Sequence, residues 1–94
     1  MVKKGNSQPI VNVALSVKRI ILDEIQNNTI TPAKLLDSYR LKEDLGYTQD
    51  FIDFLCIALN KFIKKQKGKP ITPIDLNKCK TVDETIVLVK SKIP

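Results

Sequence analysis

Residues 43–63 read EDLGYTQDFIDFLCIALNKFI, and this stretch decides the fold of the chain. It predicts a loop, a helix cap and one long amphipathic helix. The Thr48 hydroxyl can accept a hydrogen bond from an unpaired amide of the first turn, and Gly46 permits the sharp approach before it. Apolar residues then recur at helical spacing and predict one buried face, formed by Phe51, Leu55, Ala58 and Phe62 and widened by Ile52, Phe54, Leu59 and Ile63.

The opposite face of this helix is polar and contains one apolar exception. Its polar members are Gln49, Asp50, Asp53, Asn60, Lys61 and Lys64. At about 100° per residue, Ile57 projects among these polar side chains and away from the core. Single exposed apolar side chains are common in folded proteins. Ile57 is therefore either an ordinary surface residue or the anchor of a contact with a partner.

The order of motifs along the chain resembles that of the acyl and peptidyl carrier proteins. Asp44-Leu45-Gly46 is similar to the family's loop before its second helix, and Ala58-Leu59 matches a pair within that helix. Residues 16–21 look like the family's first helix, and residues 80–84 look like the start of its fourth. The resemblance covers about residues 16–93 and implies an all-α fold, a small four-helix bundle of acyl-carrier-protein type with a long first loop and a short third helix.

The residue that carries the prosthetic group in that family is different here. Carrier proteins attach 4'-phosphopantetheine to a serine three residues after the loop glycine, where this chain has Gln49. A carboxamide cannot accept the phosphoryl group, so we expect no cofactor. We also expect no enzymatic activity, because the chain has no histidine for a Ser/His or Cys/His pair and Asp50 and Asp53 fit solvated or cap-related acids. The family also uses an exposed apolar residue at the position of Ile57 to contact its partners. The resemblance implies a protein partner on the second helix, bound by Gln49, Asp53, Ile57, Asn60, Lys61 and Lys64.

Two other functions stay open from the sequence. A carrier modified at an atypical hydroxyl would have to use Thr48 or Ser38, although Ser38 lies upstream of the loop and precedes no long amphipathic helix. A small basic nucleic-acid-binding domain could use the lysines of residues 61–69 with Lys78 and Lys80, because clustered lysines neutralise phosphates. The same lysines also fit a solvated helix end, where cations complement the helix dipole and Gly68 stops the helix.

Signals for helix starts and ends organise the first half of the chain. We expect residues 1–9 to be a flexible tail and residues 10–94 to form a single helical domain. The first helix is predicted to begin between Ile10 and Asn12 and to end near Asn27. Its inward face is predicted to carry Val13, Val17, Ile20, Ile21, Glu24 and Ile25, and its outward face Lys18, Arg19 and Asp23.

The connection that follows is predicted to be long and mostly irregular. Thr31-Pro32 predicts a cap followed by proline at the first helical position, and a short helical piece is expected through Leu35 and Leu36. Leu41 and Leu45 are expected to return to the core.

Two further cap signals mark the last helices. Thr72-Pro73 with Asp75 predicts a short third helix that ends at about Lys78. Residues 81–84, TVDE, form a capping box for the last helix. The buried face of that helix is predicted to carry Val82, Ile86, Val89 and Ile93.

Composition limits the class of protein further. The chain has 94 residues, of which 43% are hydrophobic, so it can form one domain with a modest core. No apolar run approaches the roughly 20 residues that cross a bilayer, and no signal peptide is evident at the start. We expect a cytoplasmic monomer without membrane insertion, with Cys56 and Cys79 as free thiols. The chain has no histidine and no close cysteine pair, so we expect no metal site, and its net charge of +6 contrasts with the acidic carrier proteins.

Overall fold

The computed structural model describes residues 12–94, and within that range the chain is helical without a strand. Its elements are α1 (Val13–Glu24), one turn of 3₁₀ helix (Pro32–Lys34), α2 (Gln49–Lys65), α3 (Pro73–Asn77) and α4 (Val82–Lys92). The predicted four helices, long first loop and short third helix are confirmed. No described helix has the length and apolar character that a membrane crossing requires. The predicted tail at residues 1–9 lies outside the described residues.

A single aliphatic core joins these elements, and α2 is central to it. Both α1 and α3 pack against α2 and α4, and α2 also contacts α4. The buried residues of α2 are Ile52, Leu55, Cys56, Leu59 and Ile63. The rest of the core comes from Val17, Ile21, Leu22, Leu35, Leu41, Tyr47, Ile71, Leu76, Val82, Thr85, Ile86 and Val89.

Helix α1 begins as predicted and ends earlier than predicted. Asn12 caps it, because its Oδ1 accepts a hydrogen bond from the Leu15 amide at 3.0 Å. The helix stops at Glu24 rather than near Asn27 because Gln26 adopts a left-handed backbone with φ 53°. The Gln26 and Asn27 amides then turn back to carbonyls of the last helical turn, at 3.0 and 2.9 Å. This Schellman arrangement usually has glycine at the left-handed position, so no glycine signal marked the end in the sequence.

Lys18 is partly covered, although its position predicted an outward side chain. Its ammonium lies 2.7 Å from a carboxylate oxygen of Asp37, and only 15% of the lysine side chain is exposed. The outward prediction for Lys18 was therefore wrong, because the first loop folds back over this part of α1. Arg19 and Asp23 are exposed as predicted.

The helical piece in the first loop is shorter than predicted. It covers only Pro32–Lys34, and the Thr31 side chain makes no capping hydrogen bond. A 3₁₀ turn pairs the Lys34 amide directly with the Thr31 carbonyl at 2.9 Å, which leaves the hydroxyl without that role. Leu35 leaves the helical conformation and is buried, whereas Leu36 is 57% exposed.

The end of the first loop is held by backbone pairing with the start of α4. The Leu41 amide donates to the Lys80 carbonyl, and the Val82 amide donates to the Tyr39 carbonyl, each at 2.9 Å. These bonds bring Leu41 into the core, and Leu45 is half-buried against it, as predicted. The irregular segment before α2 is therefore held by backbone hydrogen bonds to the start of α4 and by packing of its leucine side chains against the core.

The two short-range capping devices of the second half are both confirmed. Thr72 and Asp75 cap α3 reciprocally, and Thr81 and Glu84 do the same for α4. The hydrogen bonds from Thr72 lower the pKa of Asp75, first through the backbone amide and then through the hydroxyl. Local sequence was sufficient here because each device involves only four consecutive residues.

The end of α2 meets the end of α4 at a close backbone contact. Gly68 was predicted to stop α2, and the helix ends at Lys65, followed by a left-handed residue, Lys67, with φ 62°. Gly68 follows it and donates to the Ile63 carbonyl at 2.9 Å. A Cβ at Gly68 would lie 2.5 Å from the Lys92 carbonyl oxygen, so glycine is needed for the approach of α4 and not for its backbone angles.

We expect Tyr47→Phe to reduce the free energy of unfolding by about 1–2 kcal/mol, because it removes a buried hydrogen bond. The Tyr47 hydroxyl donates to the Ile21 carbonyl at 2.6 Å. Burial, helped by the charge of Glu24, raises the pKa of Tyr47. A raised folded-state pKa means that this stabilisation is complete below the unfolded value of about 10 and is lost at higher pH.

The measurement is urea denaturation of wild type and Tyr47→Phe at neutral pH and above about pH 10. The difference in unfolding free energy between the two proteins should shrink as the pH rises. A difference that stays constant or grows would contradict the assignment of the alkaline sensitivity to Tyr47.

Candidate functional site

The start of α2 is held by a cap and by a side-chain bond on its surface. The Thr48 hydroxyl accepts a hydrogen bond from the Phe51 amide at 3.3 Å, which confirms the predicted cap. Gln49 is exposed, and its Nε2 donates to Asp53 Oδ1 at 3.1 Å. The residue at the position matching the family's attachment serine therefore contacts its own helix.

Each residue of Asp44-Leu45-Gly46 has a structural role in the loop before α2. Arg40 donates to both carboxylate oxygens of Asp44, at 3.0 and 3.1 Å, and the Arg40 amide donates to the same group at 2.7 Å. The pKa of Asp44 is lowered mainly by the hydrogen bond from the Arg40 side chain. Leu45 packs against the core, and Gly46 takes φ 79°, which favours glycine. The motif fixes this loop whether or not a prosthetic group follows it.

The outward side of α2 is more apolar than the sequence indicated. Ile57 is 56% exposed and Phe54 is 54% exposed, and Phe51 is 39% exposed at one edge. The prediction that Phe51 and Phe54 belong to the buried face was wrong, because the buried residues of α2 centre on Leu55 and Leu59. A shallow depression of about 300 Å³ adjoins them, lined by Glu24, Phe54, Ile57, Ala58 and Lys61.

Charged side chains of opposite sign lie on either side of this apolar centre. Asp50 and Asp53 are exposed towards the start of α2, and Lys61 and Lys64 are exposed towards its end. None of these four residues forms a salt bridge within the described part of the chain. We call the exposed surface formed by these residues the α2 face; it consists of Asp50, Asp53, Phe54, Ile57, Lys61 and Lys64.

Asn60, which was predicted to bind a partner, is occupied inside the protein. Its Nδ2 donates to the Ile71 carbonyl at 2.9 Å, and its Oδ1 accepts from the Ile71 amide at 2.8 Å. The side chain is half-buried at the border of α2 and the following loop. The side-chain amide of Asn60 therefore hydrogen-bonds both the N–H and the C=O of Ile71, which is itself buried.

The structure brings most of the predicted site residues together and adds one. Gln49, Asp53, Ile57, Lys61 and Lys64 are all exposed on α2, with Asn60 at the border. The addition is Phe54, which lies three residues before Ile57 and therefore near it on the helix surface. That spacing was visible in the sequence, but the aromatic side chain was assigned to the core.

The two alternative attachment hydroxyls occupy different environments. Ser38 lies exposed in a turn of the first loop, and Thr48 uses its hydroxyl oxygen to cap α2. Neither stands at the first helical position, which Gln49 occupies. A carrier function through either residue stays a prediction.

A small cavity between the first loop and α3 contains one of the two cysteines. It measures about 180 Å³ and is lined by Leu41, Lys42, Glu43, Ile52, Leu76, Asn77, Cys79 and Lys80. Typical sites for drug-sized ligands begin at about 300 Å³. Burial, followed by the charge of Glu84, raises the pKa of Cys79 and so disfavours a reactive thiolate. Cys56 and Cys79 are both free thiols, as predicted.

Of the lysines proposed for nucleic-acid binding, those of residues 61–69 lie near the end of α2, whereas Lys80 precedes the start of α4. Lys61, Lys64, Lys65, Lys67 and Lys69 are exposed, and α4 adds Lys90 and Lys92 where the Lys69 amide donates to the Lys92 carbonyl at 3.0 Å. No aromatic side chain of the described residues is interleaved with Lys64 to Lys69 in sequence. Binding of nucleic acid by this end stays a prediction.

Comparison of the chain with protein-family models, with curated proteins and with solved structures finds no match in any of the three.

We expect Asn60→Ala to lower the free energy of unfolding by about 1–3 kcal/mol, because the buried Ile71 amide loses its partner and the Ile71 carbonyl keeps only the Cys56 thiol, at 3.6 Å. Asn28→Ala is the matched control, since Asn28 is exposed in the first loop. Urea denaturation of both variants measures the effect. Equal stability of the two variants would show that the Asn60 amide is not required to hold the segment after α2.

Proposed function

We propose that the protein is an interaction domain of acyl-carrier-protein type that binds a protein partner through the α2 face and carries no phosphopantetheine. One observation carries this proposal: Phe54 and Ile57 are more than half exposed at the middle of a long, capped helix. An apolar pair of this kind, rimmed by charges, is typical of a recognition surface.

The carrier-protein resemblance supports the choice of this helix. The four helices, the long first loop and the short third helix are arranged in the order that the resemblance implies. In the family the second helix contacts partner enzymes, and the position matching its apolar contact residue is Ile57. Gln49 at the attachment position argues for binding without group transfer, because its carboxamide offers no hydroxyl nucleophile.

Most of the binding free energy would come from burial of Phe54 and Ile57, the apolar centre of the α2 face. Burial of an exposed side chain yields about 25 cal/mol per Å² of apolar surface, and aromatic residues are frequent binding hot spots. The surrounding acids and lysines would determine orientation and association rate more than affinity. A partner should therefore present a small apolar ridge flanked by charges.

We expect a photoreactive phenylalanine analogue at position 54 to form a covalent adduct with the partner in the protein's own cells. Ile57→Glu should abolish this adduct, because a partner that buries position 57 would have to desolvate the new carboxylate. Val87→Glu is the matched control, since Val87 on α4 is 59% exposed and Ile57 is 56% exposed. Mass spectrometry of the adduct identifies the partner.

Both charge variants should retain the unfolding free energy of wild type within about 0.5 kcal/mol, as is usual for surface substitutions. The proposed role of the α2 face would be wrong if Ile57→Glu retained the adduct, or if Val87→Glu lost the adduct to the same extent.

The carrier alternative requires modification of Thr48 or Ser38, and intact mass tests it directly. We expect the mass of the protein from its own cells to match the unmodified chain. Coexpression with a broad-specificity phosphopantetheinyl transferase should leave it unchanged, because the family's serine position holds Gln49. A gain equal to the prosthetic group, mapped by fragmentation to either hydroxyl, would replace the proposed function with that of a working carrier.

A further inference from the structure

The charges of the α2 face are placed symmetrically about Ile57. Asp53 and Lys61 lie four residues before and after it, and Asp50 and Lys64 lie seven residues before and after it. Every acid on the face therefore has a lysine at the same distance on the other side. Reversal of the helix direction exchanges the two signs of charge and leaves the apolar centre in place.

These five residues also lie on one narrow strip of the helix surface. At about 100° per residue they occupy about 80° of the circumference. At a rise of about 1.5 Å per residue, the inner pair lies about 6 Å and the outer pair about 10 Å from the level of Ile57. All five are exposed, so another helix can reach the whole strip.

On the basis of the docking role proposed above, we propose that the α2 face binds the same face of a second copy of this chain. The two α2 helices run antiparallel, with a two-fold axis that passes beside Ile57. Asp53 of each copy then lies at the same level along the helix as Lys61 of the other, and Asp50 at the level of Lys64. An isologous contact of this kind requires a self-complementary surface, which the order of charges provides.

The apolar side chains fit the same arrangement. The two Ile57 side chains meet near the axis. Reversal brings Phe54 of one copy to the level of residues 60–61 of the other, on the side of the depression lined by Ala58, Lys61 and Glu24. This depression therefore receives the Phe54 ring of the second copy, and each dimer contains two such insertions.

The order of charges favours an antiparallel pair of copies over a parallel pair. A dimer also differs from the monomer that the sequence led us to expect. A parallel arrangement would place Asp50 and Asp53 against their own copies and the lysines against lysines, which like-charge repulsion disfavours. A single helix face buries less than the roughly 1,200 Å² of a stable specific interface. The dimer is therefore weak, its fraction of the protein rises with concentration, and it competes with any other protein that uses the α2 face.

Complementary charge variants test the pairing. Asp53→Lys gives a chain in which lysine faces lysine across the axis, and Lys61→Asp gives one in which acid faces acid. Sedimentation equilibrium should show dimerisation of wild type up to about 1 mM and at least about tenfold weaker self-association of each variant. An equimolar mixture of the two variants should associate at least about tenfold more tightly than either alone, because each acid again meets a lysine.

Dilution of the wild-type protein provides a second measurement, which does not depend on the variants of Asp53 and Lys61. Amide resonances in a ¹H–¹⁵N spectrum should shift on dilution for residues of the α2 face and stay fixed for Val87 and its neighbours on α4. Ile57→Glu should remove the concentration dependence. The outcome then stands even if a charge variant fails to fold.

A wild-type protein that remains monomeric at about 1 mM, or a mixture that pairs no better than its components, would overturn the self-pairing. The photoreactive variant at position 54 separates this failure from that of the docking role. An adduct of twice the chain mass supports self-pairing. An adduct only with a different protein, in a chain that stays monomeric, overturns self-pairing and leaves the docking role intact.

Discussion

The hydrogen bond from the buried Tyr47 hydroxyl to the Ile21 carbonyl, at 2.6 Å, ties the residues just before α2 to α1. The segment between α1 and α2 contains one 3₁₀ turn and no longer helix, so its own local order cannot orient α2. Tyr47 joins the last residues of that segment to α1, while the pairing of Leu41 with Lys80 joins it to the start of α4. These two ties connect the segment before α2 to both α1 and the start of α4.

The α2 face follows from how this anchored helix divides its apolar residues. Ile52, Leu55, Leu59 and Ile63 lie in the core, whereas Phe54 and Ile57 are more than half exposed. Asn60 lies at the border between the buried and the exposed residues of α2, and its side-chain amide is hydrogen-bonded to the backbone of Ile71. The buried and the exposed apolar residues of this helix are thus different residues, which makes it possible to alter the exposed surface with little effect on the fold.

Features that depend on a few consecutive residues were predictable from the sequence, and those that depend on distant contacts were not. The capping residues Thr48, Thr72 and Thr81, and hence the starts of three helices, follow from local chemistry. The end of α1 at a left-handed Gln26 and the covered side chain of Lys18 depend on where the first loop lies in space. For the site, helical spacing identified Ile57 and the flanking charges, but it could not show that the core boundary leaves Phe54 in solvent.

The segment between α2 and α3 is rich in lysine, and its backbone amides are hydrogen-bonded within the protein. The amides of Lys67, Gly68, Lys69 and Ile71 are all bonded within the protein, and Pro70 has none. A protease that cuts after lysine must first draw several residues of its substrate into an extended strand. In this segment an extended conformation would break the hydrogen bonds to Ile63, Asn60 and Lys92 at the same time. Cleavage would therefore require local unfolding at the ends of α2 and α4, and not only movement of a loop. The same tight backbone lets the protein display many lysines at one end without creating an easy point of proteolysis.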